Sequence, residues 1–258
     1  MKKITAYEIE CLLKEERNEK QRDHLMRFFK TGEGEYGEGD KFLGLKVPQT
    51  RSIVKEAKLG VELPDIEKLL YSEWHEVRLC GLLLLVEEMK ANVPKKNDSD
   101  KTLKEKAGRR EKIAKFYLQH ARQANNWDLV DLSCQYVLGT YLRLLEKEDY
   151  EILYRLTESD NLWEQRIAIV TTLEFIRNGV FKPTVKIADM LIHHPHDLIH
   201  KAIGWTLREI GKRDREELLN YLEKNFTCLP RTSLRYAIER FPEKERKYWL
   251  TRPRSGNL

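Results

Sequence analysis

One carboxylate in the segment QANNWDLVDLS, residues 123–133, lies where a carboxylate is unusual. Asn126 is a favourable N-cap residue, and Trp127, Val130 and Asp131 then follow at the spacing of one helical face. Asp131 therefore falls within an otherwise apolar stripe. Such a group either pairs with a cation from a neighbouring element or takes part in chemistry, for example by stabilising a positive charge that forms beside it.

The segment belongs to an internal repeat of about 35 residues. Five residues of one copy recur unchanged 34 residues later. These pairs are Ala168 and Ala202, Ile169 and Ile203, Thr172 and Thr206, Leu173 and Leu207, and Ile176 and Ile210. Similar residues precede this copy at Ser133–Leu138, follow it at Ala237 and Ile238, and form a weaker copy at Arg78–Leu85. Two helices per repeat of this length are typical of α-helical solenoids. We therefore predict an all-α solenoid whose inner helices line a concave surface.

Basic or titratable residues occupy the repeat positions equivalent to the acid. In chain order these positions hold Arg78, Asp131, Arg166, His200 with the adjacent Lys201, and Arg235. A concave surface with these cations would bind a polyanion through its phosphates. Two structural alternatives stay open: Asp131 and Arg166 form a buried ion pair, or the basic positions form a solvated face.

Tryptophans accompany these positions. Trp127 precedes the acid by one turn, and Trp163 and Trp205 lie near the positions of Arg166 and His200. Exposed indoles could stack on a sugar or a base, whereas buried ones would belong to the core. An acid among phosphate-binding cations is unfavourable for binding alone, and this cost favours a catalytic role for it.

The composition is typical of a soluble helical protein: of 258 residues, 34% are charged and 41% hydrophobic. A net charge of +5 is compatible with nucleic acid binding but does not establish it. The four cysteines lack the spacing of a zinc site or a disulfide framework. No signal peptide is predicted, and the longest apolar run, Leu79–Val86, is too short to cross a membrane. We expect a cytoplasmic protein with one domain over residues 1–250 and a frayed tail over residues 251–258.

Three further segments favour structural interpretations. TGEGEYGEGD, residues 31–40, contains GxGxxG, but no strand precedes it and its glutamates would repel a pyrophosphate, so a flexible loop is predicted. The histidines of HHPH, residues 193–196, have no Glu or Cys at a useful spacing, which favours an inter-helix turn over a zinc site. The basic segment Lys106–Phe116 is either a solvated outer helix face or an accessory phosphate-binding patch.

Four motifs in order resemble the bacterial DNA alkylation repair glycosylases of the AlkD family, which are built from HEAT-like repeats. They are FLGLKVPQTR at Phe42–Arg51, NNWDLVD at Asn125–Asp131, WEQRIAI at Trp163–Ile169 and HKAIGWTLRE at His200–Glu209. The resemblance covers nearly the whole chain and implies a concave DNA-binding groove. It also implies that a family tyrosine of the N-terminal helices is replaced by Phe28, which leaves the lesion preference open.

The resemblance implies a role for each matching residue. Asp131 would be the catalytic carboxylate, Trp127 would line the site against the deoxyribose, and Trp205 would form a second aromatic wall. Arg166 would contact the DNA backbone near the lesion. The basic positions Arg78, His200, Lys201 and Arg235 are predicted to bind DNA phosphates.

The implied enzyme is a monofunctional DNA glycosylase acting on double-stranded DNA in base-excision repair, as a monomer and without metal or cofactor. It would hydrolyse the N-glycosidic bond of positively charged alkylated purines such as 3-methyladenine and 7-methylguanine. Such a base already carries the charge that a general acid would otherwise supply, so one carboxylate is sufficient. The alternative is a helical-repeat module that binds nucleic acid or protein without catalysis.

Overall fold

The computed structural model describes residues 3–57, 60–146 and 148–254, and within these ranges the regular secondary structure is helical. The helices are α1 (Ala6–Glu15), α2 (Glu19–Phe28), α3 (Val47–Ala57), α4 (Leu63–Leu70), α5 (His75–Ala91), α6 (Asp100–Gln119), α7 (Trp127–Asp131), α8 (Thr140–Arg143), α9 (Glu151–Thr157), α10 (Leu162–Thr171), α11 (Leu173–Arg177), α12 (Lys182–Met190), α13 (Asp197–Gly211), α14 (Arg215–Asn225), α15 (Arg231–Ala237) and α16 (Glu243–Thr251). A 3₁₀ turn at Ala121–Gln123 precedes α7, and a π-helical stretch at Gln135–Gly139 follows it. The all-α prediction is confirmed.

Side-chain caps explain where several helices begin. The side chain of Asn126 accepts a hydrogen bond from the backbone N–H of Trp127 at the start of α7 (2.8 Å). Asn161 accepts from the backbone N–H groups of Trp163 (2.9 Å) and Glu164 (3.2 Å) at the start of α10. Both asparagines are N-caps, and for Asn126 this confirms the prediction from the sequence.

The chain divides into two compact units, Met1–Tyr141 and Leu142–Leu258, here called the N-terminal and C-terminal units. In the N-terminal unit, α5 packs against α1, α3, α4, α6 and α7. Its apolar run, Leu79–Val86, is buried throughout. A helix surrounded on all sides explains why the run has no polar face.

In the C-terminal unit, α13 packs against both α10 and α15, while α9 packs against α10 and α12 against α13. The ten residues of the identical repeat pairs are all buried, with at most 3% of their surface exposed. The hydroxyl groups of Thr172 and Thr206 donate to the carbonyls of Ile169 (2.6 Å) and Ile203 (3.0 Å), respectively. The repeat therefore has the same core positions and the same side-chain hydrogen bond in both copies, which confirms a helical repeat fold.

The domain boundaries and the concave groove stay predictions. At the C-terminus, Arg252 pairs with Glu223 (2.6 Å), and its guanidinium lies 4.7 Å from the ring centre of Phe226. The remainder of the predicted frayed tail, residues 255–258, lies outside the described residues. Along the described chain, none of the helices combines the length and the apolar character needed to span a bilayer.

Candidate functional site

Helix α7 carries both the acid and the first tryptophan of the predicted site. It has five residues, with Trp127 first and Asp131 last. Residues at this spacing lie one turn apart on the same side of a helix, with their Cβ atoms about 5–6 Å apart. Both side chains are partly exposed, whereas the capping residue Asn126 is fully buried. The N-terminal unit thus presents an indole and a carboxylate side by side.

The chain after Asp131 departs from α-helical geometry. The side-chain amide of Gln135 donates to the backbone carbonyl of Asp131 (2.5 Å), and the hydroxyl of Ser133 donates to the carbonyl of Leu129 (2.5 Å). These bonds satisfy carbonyls at the end of a very short helix. The π-helical stretch Gln135–Gly139 then continues the chain, and such stretches are frequent at functional sites.

A neutral phenol lies within electrostatic range of Asp131. Tyr117 is buried, and its hydroxyl is hydrogen-bonded to that of Ser133 (3.0 Å). Burial raises the pKa of Tyr117 well above its usual value, with smaller contributions in the same direction from Cys134 and Asp131. The phenol consequently stays protonated at physiological pH.

The indole of Trp127 is the first ring of an aromatic column. It stacks on Phe29 with ring centres 5.2 Å apart, Phe29 stacks on Phe42 at 5.1 Å, and Phe42 stacks on His75 at 4.3 Å. Phe28 meets Trp127 edge-on at 5.9 Å and is 57% exposed. The column fixes the plane of the Trp127 indole. Phe28 adds exposed apolar surface next to this indole.

His75 is also the centre of a buried ionic cluster. Its Nδ1 lies 2.8 Å from Asp40 Oδ2 and its Nε2 lies 2.9 Å from Asp128 Oδ2. Arg78 donates to Asp40 Oδ1 (2.6 Å) and to the carbonyl of Ser72 (2.9 Å). The side chains of His75, Asp40, Asp128 and Arg78, here called the His75 cluster, are between 2% and 6% exposed.

The geometry requires a charged imidazole. Each ring nitrogen of His75 faces a carboxylate oxygen, which only accepts, so both nitrogens donate. Burial by itself lowers the pKa of His75, but the carboxylates of Asp128 and Asp40 outweigh it and raise the pKa to about 9. Burial likewise opposes ionisation of Asp40, but His75 and Arg78 together lower the pKa of that carboxyl.

The glycine-rich segment, residues 31–40, brings Asp40 to this cluster. Its residues form successive turns, and the N–H of Gly37 donates to the carbonyl of Lys30 (2.9 Å). A Cβ at Gly37 would lie 2.5 Å from the carbonyl oxygen of Phe29 and 3.3 Å from Nδ2 of Asn126. The segment predicted to be a flexible loop is therefore a series of turns, mostly exposed, that approaches the start of α7 closely at Gly37.

Glu76 holds the segment that carries Phe42. Its buried carboxylate accepts from the backbone N–H groups of Leu43 (2.9 Å), Gly44 (2.8 Å) and Leu45 (3.0 Å). Gly44 has φ +95°, and a Cβ there would lie 2.0 Å from the carbonyl oxygen of Asn18, so only glycine fits. The FLGLKVP motif is thus a backbone turn closed around one carboxylate.

The predicted DNA-binding role of Arg78 does not match its surroundings. Its side chain is 5% exposed and its guanidinium is engaged by Asp40 and Ser72. The guanidinium points into the N-terminal unit rather than to solvent. This placement argues against a direct phosphate contact and gives Arg78 a positioning role in the His75 cluster.

In the C-terminal unit, the predicted residues differ in exposure. Arg166 is 4% exposed and donates to the carbonyl of Leu198 in the first turn of α13 (2.6 Å). Trp163 is 7% exposed and belongs to the core, which decides between the alternatives for that residue. Arg235 is exposed and Trp205 is partly exposed. Of these four residues, Arg235 has the surface expected of a phosphate ligand.

The histidine turn contributes to the start of α13. His196 accepts from the backbone N–H of Leu198 through Nδ1 (3.1 Å), His194 is bonded to Gln165 (2.8 Å), and His200 Nε2 lies 2.5 Å from the carbonyl oxygen of His194. Burial lowers the pKa of both His194 and His196. Across residues 3–57, 60–146 and 148–254, no group of three or more His, Cys, Asp or Glu side chains is placed to hold a metal ion.

Lys201 is the remaining predicted basic position. It is partly exposed, and its ammonium group lies 2.9 Å from Asp197 Oδ2, one turn earlier on α13. A surface pair of this kind contributes little to stability, so it would exchange readily for a phosphate contact.

Sequence reasoning missed the residues that support α7. His75, Asp40 and Glu76 lie in no motif named above, Asp128 lies in NNWDLVD without an assigned role, and the two partners of His75 lie 35 and 53 residues away along the chain. The available signal was the pair His75–Glu76, two polar residues that lie three residues before the long apolar run at Leu79–Val86. Polar residues at the start of a fully buried helix need partners from elsewhere in the fold.

Comparisons with known proteins give a family and a solved structure of similar fold. A family model described as DNA alkylation repair enzyme matches residues 9–241. A solved structure described as a predicted DNA alkylation repair enzyme from Enterococcus faecalis is similar in fold, with a TM-score of 0.61 and 16% identity over 88% of this chain and 97% of that chain. Comparison with curated proteins gave no significant match. Because the family model spans most of the sequence, the chain belongs to the DNA alkylation repair enzyme family.

Proposed function

We propose that the protein is a monofunctional DNA glycosylase that releases positively charged alkylated purines, such as 3-methyladenine and 7-methylguanine, from double-stranded DNA. The observation that carries the proposal is the pairing of Asp131 with Trp127 one turn apart on α7, within a chain of the DNA alkylation repair enzyme family. The enzyme would act as a cytoplasmic monomer in base-excision repair, without metal or cofactor.

The leaving group determines how many acids the reaction needs. Glycoside hydrolases commonly use two carboxyl groups, one of which protonates the departing oxygen. A purine alkylated at N3 or N7 already bears a positive charge and departs as a neutral base. Proton donation is therefore unnecessary, and the proposal assigns no acid role to the buried, protonated Tyr117.

Asp131 would act on the sugar. As the glycosidic bond breaks, positive charge develops on the deoxyribose, and a carboxylate fixed beside it stabilises that charge. The same carboxylate can orient the attacking water. Asp131 is partly buried, and reduced solvent around it strengthens its interaction with the developing cation.

Trp127 would form a rigid wall against the deoxyribose. An indole face attracts a cation by about 0.5–2 kcal/mol. Because Phe29 already stacks on Trp127, the indole loses little conformational freedom when DNA binds. We propose Trp205, which is partly exposed, as the second aromatic surface, as the family resemblance implies.

The DNA backbone would be bound by the exposed cations. Arg235 is solvent-exposed, and Lys201 and His200 are partly exposed, so they can reach phosphates. Arg166 and Arg78 are buried, and we propose that both act indirectly. Arg166 would support DNA binding by positioning α13, and Arg78 would support base release by positioning the His75 cluster.

The decisive experiment measures free base. The purified protein is incubated with methylated duplex DNA, and released methylpurines are separated by chromatography. Asp131→Asn is expected to retain duplex binding and to lose most of the release, because the amide has the same shape but no charge. Asp100→Asn, at an exposed position in the first turn of α6, is the matched control and is expected to behave as wild type.

Absence of released base from the wild-type reaction would refute the glycosylase proposal. A non-catalytic binding module would bind duplex DNA, and neither the wild type nor Asp131→Asn would release a base. Release at the wild-type rate by Asp131→Asn would remove this carboxylate from the mechanism.

A further inference from the structure

We propose that His75 is a positioning residue for Trp127 and Asp131, because its imidazole joins Asp40 of the glycine-rich segment to Asp128 of α7 and thereby fixes α7. The inference rests on the proposed function for its effect on base release. Its effect on the geometry of α7 is testable without any reaction.

The shortness of α7 makes external fixation necessary. A helix of five residues has almost no intrinsic stability, since isolated helices shorter than about 12–15 residues are marginal in water. The orientation of its side chains is therefore set by tertiary contacts. Asp128, the second residue of α7, is buried and bonded to His75 Nε2 at 2.9 Å.

His75 contacts α7 by a second route. Its ring stacks on Phe42, and the column continues through Phe29 to the indole of Trp127. One imidazole thus bears on α7 through both an ion pair and a stack of rings. Displacement of His75 would therefore shift Trp127 and also Asp131, which lies one turn further along α7.

Charge balance makes this contact depend on protonation. The groups facing His75 are the carboxylates of Asp40 and Asp128, and the guanidinium of Arg78 is bound to Asp40. The neighbouring Glu76 is engaged by three backbone N–H groups. With two carboxylates and one guanidinium, the His75 cluster is neutral only when the imidazole is protonated. Loss of that proton would leave one buried negative charge without a counterion.

The direction of the pH effect follows from the raised pKa of His75, about 9. A group whose pKa is higher in the folded than in the unfolded state stabilises the folded state. The stabilisation is complete when the pH is below the pKa of the unfolded state, and it is lost as the pH rises through the pKa of the folded state. Fixation of α7 is therefore expected to persist at neutral pH and to be lost near pH 9.

The first experiment observes the residue itself. The protein is labelled with ¹³C-histidine, its imidazole signals are followed by NMR from pH 5 to 10, and His75→Gln identifies the His75 signal. The emission of Trp127 is followed in parallel as the difference between wild type and Trp127→Phe. Both signals are expected to change with one midpoint near 9, and the change in emission is expected to be absent from His75→Gln. A His75 signal that titrates at or below pH 6.5 overturns the proposal.

The second experiment measures base release under single-turnover conditions. His75→Gln is expected to lower the rate about tenfold to hundredfold with duplex binding changed less than twofold, because a small displacement of reacting groups costs rate rather than affinity. Adding Asp128→Asn removes the uncompensated carboxylate and is expected to restore part of the rate. The control, His193→Gln, replaces an exposed histidine of the C-terminal unit and is expected to leave release unchanged.

A wild-type rate in His75→Gln, or further loss in the double variant, overturns the positioning role. If the wild-type protein releases no base, the proposed function fails, whereas the NMR and emission midpoints still decide whether His75 fixes α7.

Discussion

Replacing Glu76 with glutamine tests whether one buried carboxylate holds the FLGLKVP turn. The carboxylate accepts three backbone hydrogen bonds: Oε2 from Leu43, and Oε1 from Gly44 and Leu45. Glutamine fits the same space but has one acceptor oxygen. If that oxygen takes the place of Oε1, the amide NH₂ faces the N–H of Leu43, and two donors oppose each other.

The cost can be worked from these bonds. A buried donor left without a partner costs about 1–3 kcal/mol, and this applies to the N–H of Leu43. Replacing a charged acceptor by a neutral one weakens each of the two remaining bonds by roughly 1 kcal/mol. Part of this loss of stability is offset, because a neutral glutamine costs less to bury than a charged glutamate. The free energy of unfolding is therefore expected to fall by about 3 kcal/mol.

Urea denaturation at neutral pH measures this loss, with Glu73→Gln as the matched control. Glu73 is three residues earlier and forms an exposed ion pair with Lys41 at 2.6 Å, so its replacement is expected to change stability very little. A loss below about 1 kcal/mol for Glu76→Gln, or equal losses for both variants, would refute the reasoning that three converging N–H groups require a carboxylate.

The remaining predictions concern packing and DNA binding. Gly204→Ala is expected to destabilise the protein by about 1–3 kcal/mol, because the new Cβ would lie 2.5 Å from the carbonyl oxygen of Ser233 where α13 meets α15. Gly108→Ala is expected to stabilise α6 by about 0.5–1 kcal/mol, because no atom lies within 4 Å of the new Cβ. Thermal unfolding measures both variants, and a lower melting temperature for Gly108→Ala than for Gly204→Ala would contradict both expectations. Arg235→Ala is expected to reduce the slope of log affinity against log salt by about 0.9, measured by duplex titration, while the exposed Arg155→Ala on α9 leaves it unchanged. An equal effect of both arginines would mean diffuse electrostatics rather than a phosphate contact.

The core of the C-terminal unit could be predicted from sequence because it repeats. Identical residues 34 positions apart, such as Thr172 and Thr206, indicated equivalent sites, and both are buried with the same hydrogen bond. Periodicity reports which face of a helix is covered, and this information is local. It does not report the direction of a long side chain.

Arg78 illustrates that limit. Its repeat position is basic like those of Arg166 and Arg235, yet a flexible stem allows a guanidinium to turn inward when an acid is available. That acid, Asp40, lies 38 residues earlier in a segment that the sequence presents as a polar loop. The candidate acid and indole were predictable because they share one helical turn. The His75 cluster was not, since its members meet only after the fold brings distant segments together.

The surroundings of Asp131 favour a positive charge rather than a phosphate. The side chain of Asp131 is itself a carboxylate, and the nearby Tyr117 is a neutral phenol that brings no positive charge to it. Under the proposed function, the sugar next to Asp131 would therefore gain stabilisation only as its glycosidic bond breaks. An uncharged purine would depart as an anion unless an acid protonated it, so the proposed chemistry confines the enzyme to bases that alkylation has already charged.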